Sequence, residues 1–207
     1  MVYRLSKLIV LAVLRSGFGF RVDGRDREPP SGPVIVVSNH RSDLDPIVVG
    51  AALRRRVTFM AKHELFRVPV LRWWITACGA FPVRRGEADR QALRTALRIL
   101  TAGGVLVMFP EGTRGAGREL RPAEPGAASL AFRTGAALLP VAVTGTDVVL
   151  PRGSHRPRRS TIRVRIGEPV HVPPPSGGNG AKPDRDDVEA LGRRYMTEIA
   201  RLLASPP

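Results

Sequence analysis

Three observations predict an α/β fold, a single domain with a mostly parallel central sheet flanked by helices. Short apolar runs rich in β-branched residues, at 33–37, 57–61, 80–83, 104–109 and 137–143, alternate with longer segments of helical periodicity. Most of these runs are apolar throughout, as strands are when helices cover both faces of a sheet. The chain has 207 residues and no internal repeat, which suits one domain able to bury a sizeable core.

Each element follows in order. Residues 1–15 contain an apolar run from Leu8 to Leu14 flanked by Arg4, Lys7 and Arg15. The run is too short to cross a bilayer, and no small-residue cleavage site follows it, so neither a spanning helix nor a cleaved signal is expected. Drawn as a helix, it gathers the three cations into an arc of roughly 80° and leaves apolar groups around most of the rest. That is the pattern of an interfacial helix on an anionic membrane, with packing on the domain's own core as the competing reading.

Residues 18–22 alternate as a short strand and lead through the Asp23-Gly24 turn and the Pro29-Pro30 loop to the strand at 33–37. Asp45-Pro46, followed by Ile47, Val48, Ala51, Ala52 and Leu53, reads as an N-cap, a first-turn proline and a helix. The apolar stretch 73–79 holds Cys78, the only cysteine, so no intrachain disulfide can form; a reducing interior and a buried, inert thiol are expected. Residues 88–102 form an amphipathic helix with Leu93, Ala96, Leu97 and Leu100 on one side and Arg90, Arg94 and Arg98 as a solvated row beside them. A helix at 126–134, a peripheral alternating strand at 161–166 and a Pro/Gly-rich linker at 173–183 come next. The last helix spans about 184–203, with Val188, Leu191, Tyr195, Ile199 and Leu202 as its core stripe.

Thirty-three Lys and Arg against 18 Asp and Glu give a formal charge of +15, which points to an anionic partner. The chain has no RNA-recognition signature, paired-Cys zinc spacing or long basic tail, so an anionic membrane surface is expected rather than nucleic acid. His63, His155 and His171 have no ligand spacing, and no metal site is expected.

Chemistry gathers in the turn after the second strand. His40 lies just past that strand and Asp45 at the following helix start. An imidazole near its working pH can take a proton from an alcohol, and a carboxylate on its other nitrogen fixes the tautomer and stabilises the imidazolium. Such a dyad needs no nucleophile, and no serine here lies in Gly-x-Ser-x-Gly. The plainer alternative is that Asp45 only caps a helix and His40 only ends a strand. A second site bears on this choice: the strand at 104–109 runs into Pro110-Glu111-Gly112-Thr113-Arg114, and the strand at 80–83 ends at Arg84-Arg85. If the strands are parallel, an acid, a flexible backbone and two guanidinium groups share one sheet edge with His40, and Arg suits a phosphomonoester.

These blocks, in order, resemble the glycerolipid acyltransferases typified by 1-acyl-glycerol-3-phosphate acyltransferase. Asn39 to Asp45 is similar to the His-x4-Asp block, Gly79 to Arg85 to the block ending in Arg, Phe109 to Arg114 to Phe-Pro-Glu-Gly-Thr-Arg, and Leu138-Leu139-Pro140-Val141 to the last apolar-Pro block. Lys62-His63-Glu64-Leu65 is similar to a short segment between the first two, and the likeness covers roughly residues 18–170. With residues 1–15 already read as a membrane-association helix, the resemblance implies an acyltransferase domain at 16–207 that includes the last helix. His40 would be the general base and Asp45 its partner, with Arg85, Glu111, Gly112, Thr113 and Arg114 around the acceptor.

The implied reaction moves an acyl group from acyl-CoA or acyl carrier protein to the hydroxyl of a lysophospholipid, 1-acyl-glycerol-3-phosphate above all. The thioester would be a cosubstrate with no further cofactor, and the enzyme would sit peripherally on the cytoplasmic face of the cell membrane. Alternatives are another acceptor, such as glycerol-3-phosphate, another lysolipid or a glycolipid, or a silent basic module that binds membrane or nucleic acid. One departure stands out: where family members often carry a cation before the next glycine, this chain has Ala123-Glu124-Pro125-Gly126, with Glu124 expected as an ordinary surface residue.

Overall fold

The computed structural model describes residues 2–84, 89–112, 120–154, 156–178 and 182–205. Helix α1 (Val2–Phe18) leads to β1 (Arg21–Asp23), β2 (Val34–Ser38), α2 (Asp45–Ala52), β3 (Val57–Lys62), α3 (Pro69–Ala77), β4 (Ala80–Val83) and α4 (Arg90–Thr101). Then come β5 (Val105–Met108), α5 (Gly126–Thr134), β6 (Ala137–Thr144), α6 (Thr146–Val149), β7 (Arg163–Ile166) and α7 (Arg185–Ala204). The seven strands form one sheet in the order β1-β7-β6-β2-β5-β3-β4. β6, β2, β5, β3 and β4 are mutually parallel, while β7 pairs with β6 antiparallel and with β1 parallel.

Every residue of β2 is buried, as a central strand covered on both faces must be. Val34 and Val36 face a core shared with Val48, Val49 and Ala52 of α2 and Leu14 of α1. Ile35 and Val37 face the other core, with Ala96 and Leu100 of α4, Ala128 of α5, and Leu191, Tyr195 and Ile199 of α7. Asp184 caps α7 by accepting from the Asp187 N–H, and the Asp187 carboxylate accepts from the Asp184 N–H in return.

Several expectations need correction. Helix α1 runs past residue 15 to Phe18, so Phe18 packs as the last helical residue and the strand expected from residue 18 begins only at Arg21. The strand expected at 161–166 starts at Arg163 as β7, and it keeps its alternating burial and more peripheral place, second from the sheet margin between β6 and the edge strand β1. Lys7 leaves the expected cationic arc: its ammonium turns inward to the carbonyls of Leu53 and Arg54 at the end of α2, where a cation meets the helix's negative pole. Desolvation there lowers its pKa. Leu93 projects from α4 as an exposed residue, while Ala92 takes the buried position. No residue of α3 is buried, and Cys78 is half-exposed beside it, so the stretch 73–79 is not the core segment its apolarity predicts.

Candidate active site

Parallel register delivers the site. Val37 of β2 stands opposite Met108 of β5, Phe59 of β3 opposite Val107, and Lys62 opposite Val83 of β4. The carboxyl ends of these strands therefore release His40, Glu111, Lys62 and Arg84 at one level of the sheet edge, where open α/β sheets hold ligands. As the chain leaves β2, the Asn39 amide donates to the Val143 carbonyl (2.9 Å) and accepts from its N–H (2.8 Å). This side-chain pair extends the β2–β6 ladder by one step and frees the backbone to turn at His40.

The turn folds His40 onto Asp45, with Nδ1 2.9 Å from Oδ2. Asp45 is completely buried and His40 is 5% exposed. The same Oδ2 accepts from the backbone N–H groups of Arg41 (2.6 Å) and Ser42 (2.8 Å), and Oδ1 accepts from the Thr146 hydroxyl (2.6 Å). The expected N-cap is not what Asp45 does. α2 starts at Asp45 with Leu44 in the capping position and no side-chain cap bond. Four donors upstream and across the sheet hold the carboxylate in a charge-assisted cage, which outweighs the single bond a cap supplies.

Thr146 reaches this cage because the chain turns sharply at Gly145, whose φ is +87°. A Cβ there would lie 2.0 Å from the Thr161 carbonyl oxygen, so only glycine fits. The Ser42 hydroxyl donates to the Leu150 carbonyl (3.0 Å), tying the His40 turn to the segment after α6 a second time.

Glu111 is buried and works on backbone: Oε1 accepts from the His40 N–H (2.9 Å) and Oε2 from the Arg121 N–H (3.2 Å). Phe109 stacks on the imidazole, ring centroids 4.2 Å apart at 25°. Gly112 takes φ +69°, and the Glu124 carboxylate packs so closely that a Cβ on Gly112 would meet Oε1 at 1.9 Å. Glu124, though exposed, thus lies against the Glu111–Gly112 segment. Arg85, Thr113 and Arg114, expected around the acceptor, lie outside the described residues.

A cavity of about 590 Å³ opens beside His40. His40, Asp43 and Lys62 line one end; Gly50, Phe59, Cys78 and Ala80 line it roughly three residues, or about 10 Å, farther down the strands. Its lining is mostly apolar, with a few polar groups at the His40 end, as in small-molecule sites generally. Among the described residues no cluster of His, Cys, Asp and Glu has the makings of a metal site. Sequence reasoning quoted Phe109 and Lys62 within motifs without giving them a place in the site, and it missed Thr146 altogether. Nothing in local periodicity marks Thr146, which meets Asp45 across 101 residues of chain.

Comparisons with known proteins bear on this geometry. The acyltransferase family model matches residues 19–144. The chain is 31% identical over 171 residues to the chloroplastic 1-acyl-sn-glycerol-3-phosphate acyltransferase LPAT1 of Arabidopsis thaliana, covering 81% of this chain and 48% of that protein. It is 29% identical over 170 residues to the 1-acyl-sn-glycerol-3-phosphate acyltransferase of Streptococcus pneumoniae, covering 81% of this chain and 60% of that one. It thus spans about half the length of the first relative and three-fifths of the second. The crystal structure of the 1-acyl-sn-glycerophosphate acyltransferase PlsC from Thermotoga maritima superposes with a TM-score of 0.75 at 26% identity, over all of this chain and 80% of that one.

Proposed function

The chain belongs to the acyltransferase family, and from that premise we propose that it transfers an acyl group from acyl-CoA or acyl carrier protein to the free hydroxyl of a lysophospholipid, 1-acyl-glycerol-3-phosphate above all, giving phosphatidic acid. The observation that carries this reading is the buried His40–Asp45 contact at the polar end of a long apolar cavity. The relatives named as 1-acyl-sn-glycerol-3-phosphate acyltransferases support the choice of acceptor.

Asp45 holds Nδ1 as the protonated nitrogen, so Nε2 is the basic one. In the proposed step Nε2 takes the acceptor's hydroxyl proton while that oxygen attacks the thioester carbonyl. The tetrahedral intermediate then collapses, the carbon–sulfur bond breaks, and the thiolate leaves with the proton that His40 gives back. Asp45 balances the imidazolium charge, Thr146 fixes Asp45, and Glu111 fixes the His40 backbone. Lys62, at the polar end, supplies a cation for the acceptor's phosphate together with Arg85 and Arg114; Gly112 and Thr113 supply backbone around it. The chemistry asks for no metal or resident cofactor, since the thioester is a cosubstrate.

The catalytic unit occupies residues 16–207 in this reading. Helix α1, which holds most of the segment 1–15 assigned to membrane association, acts as an interfacial helix that keeps the enzyme peripherally on the cytoplasmic face of the membrane; among the described residues no helix is long and apolar enough to cross one. The test is a panel of acceptors offered to the purified chain with one acyl thioester, the products identified by mass spectrometry. Preferred formation of phosphatidic acid from 1-acyl-glycerol-3-phosphate is expected. Preference for glycerol-3-phosphate, a lysolipid with a larger head group or a glycolipid would change the acceptor but keep the chemistry, and binding without turnover of any of them would leave only a basic membrane or nucleic-acid module.

A further inference from the structure

Among the described residues, nine of the twelve exposed large apolar side chains lie on α1, on α3 or in the turn that leads into α3. Helix α1 buries Leu14 on one side and turns Leu5, Leu8, Ile9 and Val13 outward. Helix α3 buries nothing: Val70 is 78% exposed and Trp73 63%. The two helices form one surface, because the Trp74 indole N–H donates to the Ser6 hydroxyl at 3.2 Å. Soluble proteins rarely leave such a patch uncovered.

Two further observations say what covers it. Neither helix contains an acidic residue, and exposed Arg4 and Arg15 of α1, Arg72 of α3 and Arg67 just before it set four cations around the apolar surface against one exposed acid in the turn before α3, Glu64. The patch is also continuous with the catalytic cavity, whose lining takes in Ser6 and Lys7 from α1, Trp74 from α3 and exposed Leu65. An apolar face ringed by cations, with tryptophans at its border, matches the interface of a bilayer carrying anionic head groups.

We propose that α3 is a second membrane-inserting element, which with α1 forms a lipid-facing platform around the cavity mouth, so that a lipid substrate passes from the bilayer to His40 between the two helices. The proposal rests on the acyl-transfer reading for what the cavity receives, and on the patch alone for the docking. It differs from anchoring by α1 in assigning insertion to Val70 and Trp73.

The chain carries its own reporter, because Trp73 and Trp74 are its only tryptophans and both lie on α3. The full chain is mixed with vesicles of equal phosphatidylcholine and phosphatidylglycerol, and sedimentation, tryptophan emission and quenching by acyl-chain-brominated lipids are read together. A shift of emission to shorter wavelength with bromine quenching is expected, and it should persist in Trp74→Phe, where Trp73 alone reports. Val70→Ser with Trp73→Ser should weaken vesicle partitioning roughly tenfold or more, the effect of taking two apolar side chains out of lipid. That variant should keep its turnover of a short-chain soluble acceptor.

Sedimentation with vesicles but no emission shift and no quenching would overturn the proposal while leaving acyl transfer untouched. An emission shift without lipid that grows with protein concentration would also overturn it, making a second copy of the chain the occupant. Insertion of α3 in a chain that turns over no soluble acceptor would uphold the docking surface and sink the acyl-transfer reading instead.

Discussion

Replacing Asp45 by Asn isolates the charge of the proposed dyad from its geometry, because the surroundings dictate how the amide must sit. Oδ2 faces three donors, the His40 ring and the N–H groups of Arg41 and Ser42, so an NH2 group there would point at hydrogens. Among the described residues Oδ1 faces the Thr146 hydroxyl, which can accept as readily as donate. The Asn side chain therefore keeps its oxygen toward His40 and its nitrogen toward Thr146, which preserves the imidazole tautomer and removes only the negative charge. Two unit charges about 4 Å apart interact by about 4 kcal/mol at an effective dielectric of 20, and relaxation reduces what the imidazolium loses. A fall in kcat of roughly 10²–10³ is expected, with the fold retained. The assay is steady-state acyl transfer beside a thermal melt. Turnover within threefold of the parent would refute charge balance by Asp45, and an unfolded protein would make Asp45 a structural residue first. Adding Thr146→Val strands the amide nitrogen, so the double variant should lose far more activity than the two single losses combined, whereas Thr146→Ser should behave as the parent.

Other outcomes follow from the same geometry. Tyr195 is fully buried and its hydroxyl has no partner among the described residues; desolvation raises its pKa strongly, and Tyr195→Phe should stabilise the fold by about 1 kcal/mol, read as a rise of about 2–4 °C in Tm. Asp89 caps α4 by accepting from Ala92 and Gln91, and the Ala92 N–H leads the contacts that depress its carboxyl pKa. The cap's contribution is therefore complete above the ordinary carboxylate range and is lost as pH falls through the lowered value, so melts of Asp89→Asn should lack that part of the acid dependence. Cys78→Ser should keep most activity, since transfer is direct, and a labelled acyl group trapped on Cys78 would contradict this. Cys78→Phe narrows the deep part of the cavity, and product analysis with thioesters of graded length should show a shift to shorter chains.

How much of this was legible in the sequence depended on the range of the interaction. β2 and β5 were legible because central strands of a parallel sheet must be apolar on both faces, and α7 because its stripe of Leu191, Tyr195, Ile199 and Leu202 repeats at the helical period. The neighbourhood of His40 and Asp45 was legible because strand, turn and helix start are all local signals. Its details were not: Asp45 reads as a cap from its position before Pro46, and only the cage from Arg41, Ser42 and Thr146 shows which way the carboxylate turns. Cys78 and α3 misled for the opposite reason. Apolar composition records an avoidance of water but not whether protein or another phase provides the shelter, and α3 carries a core-like sequence on an exposed face.

The most direct test of the central claim compares the parent with His40→Ala in acyl transfer to 1-acyl-glycerol-3-phosphate, with phosphatidic acid quantified by mass spectrometry and folding checked by thermal melt. The account predicts a loss of about 10²–10⁴ in rate at a nearly unchanged Tm, the usual worth of a positioned general base. Turnover by folded His40→Ala close to that of the parent would contradict it.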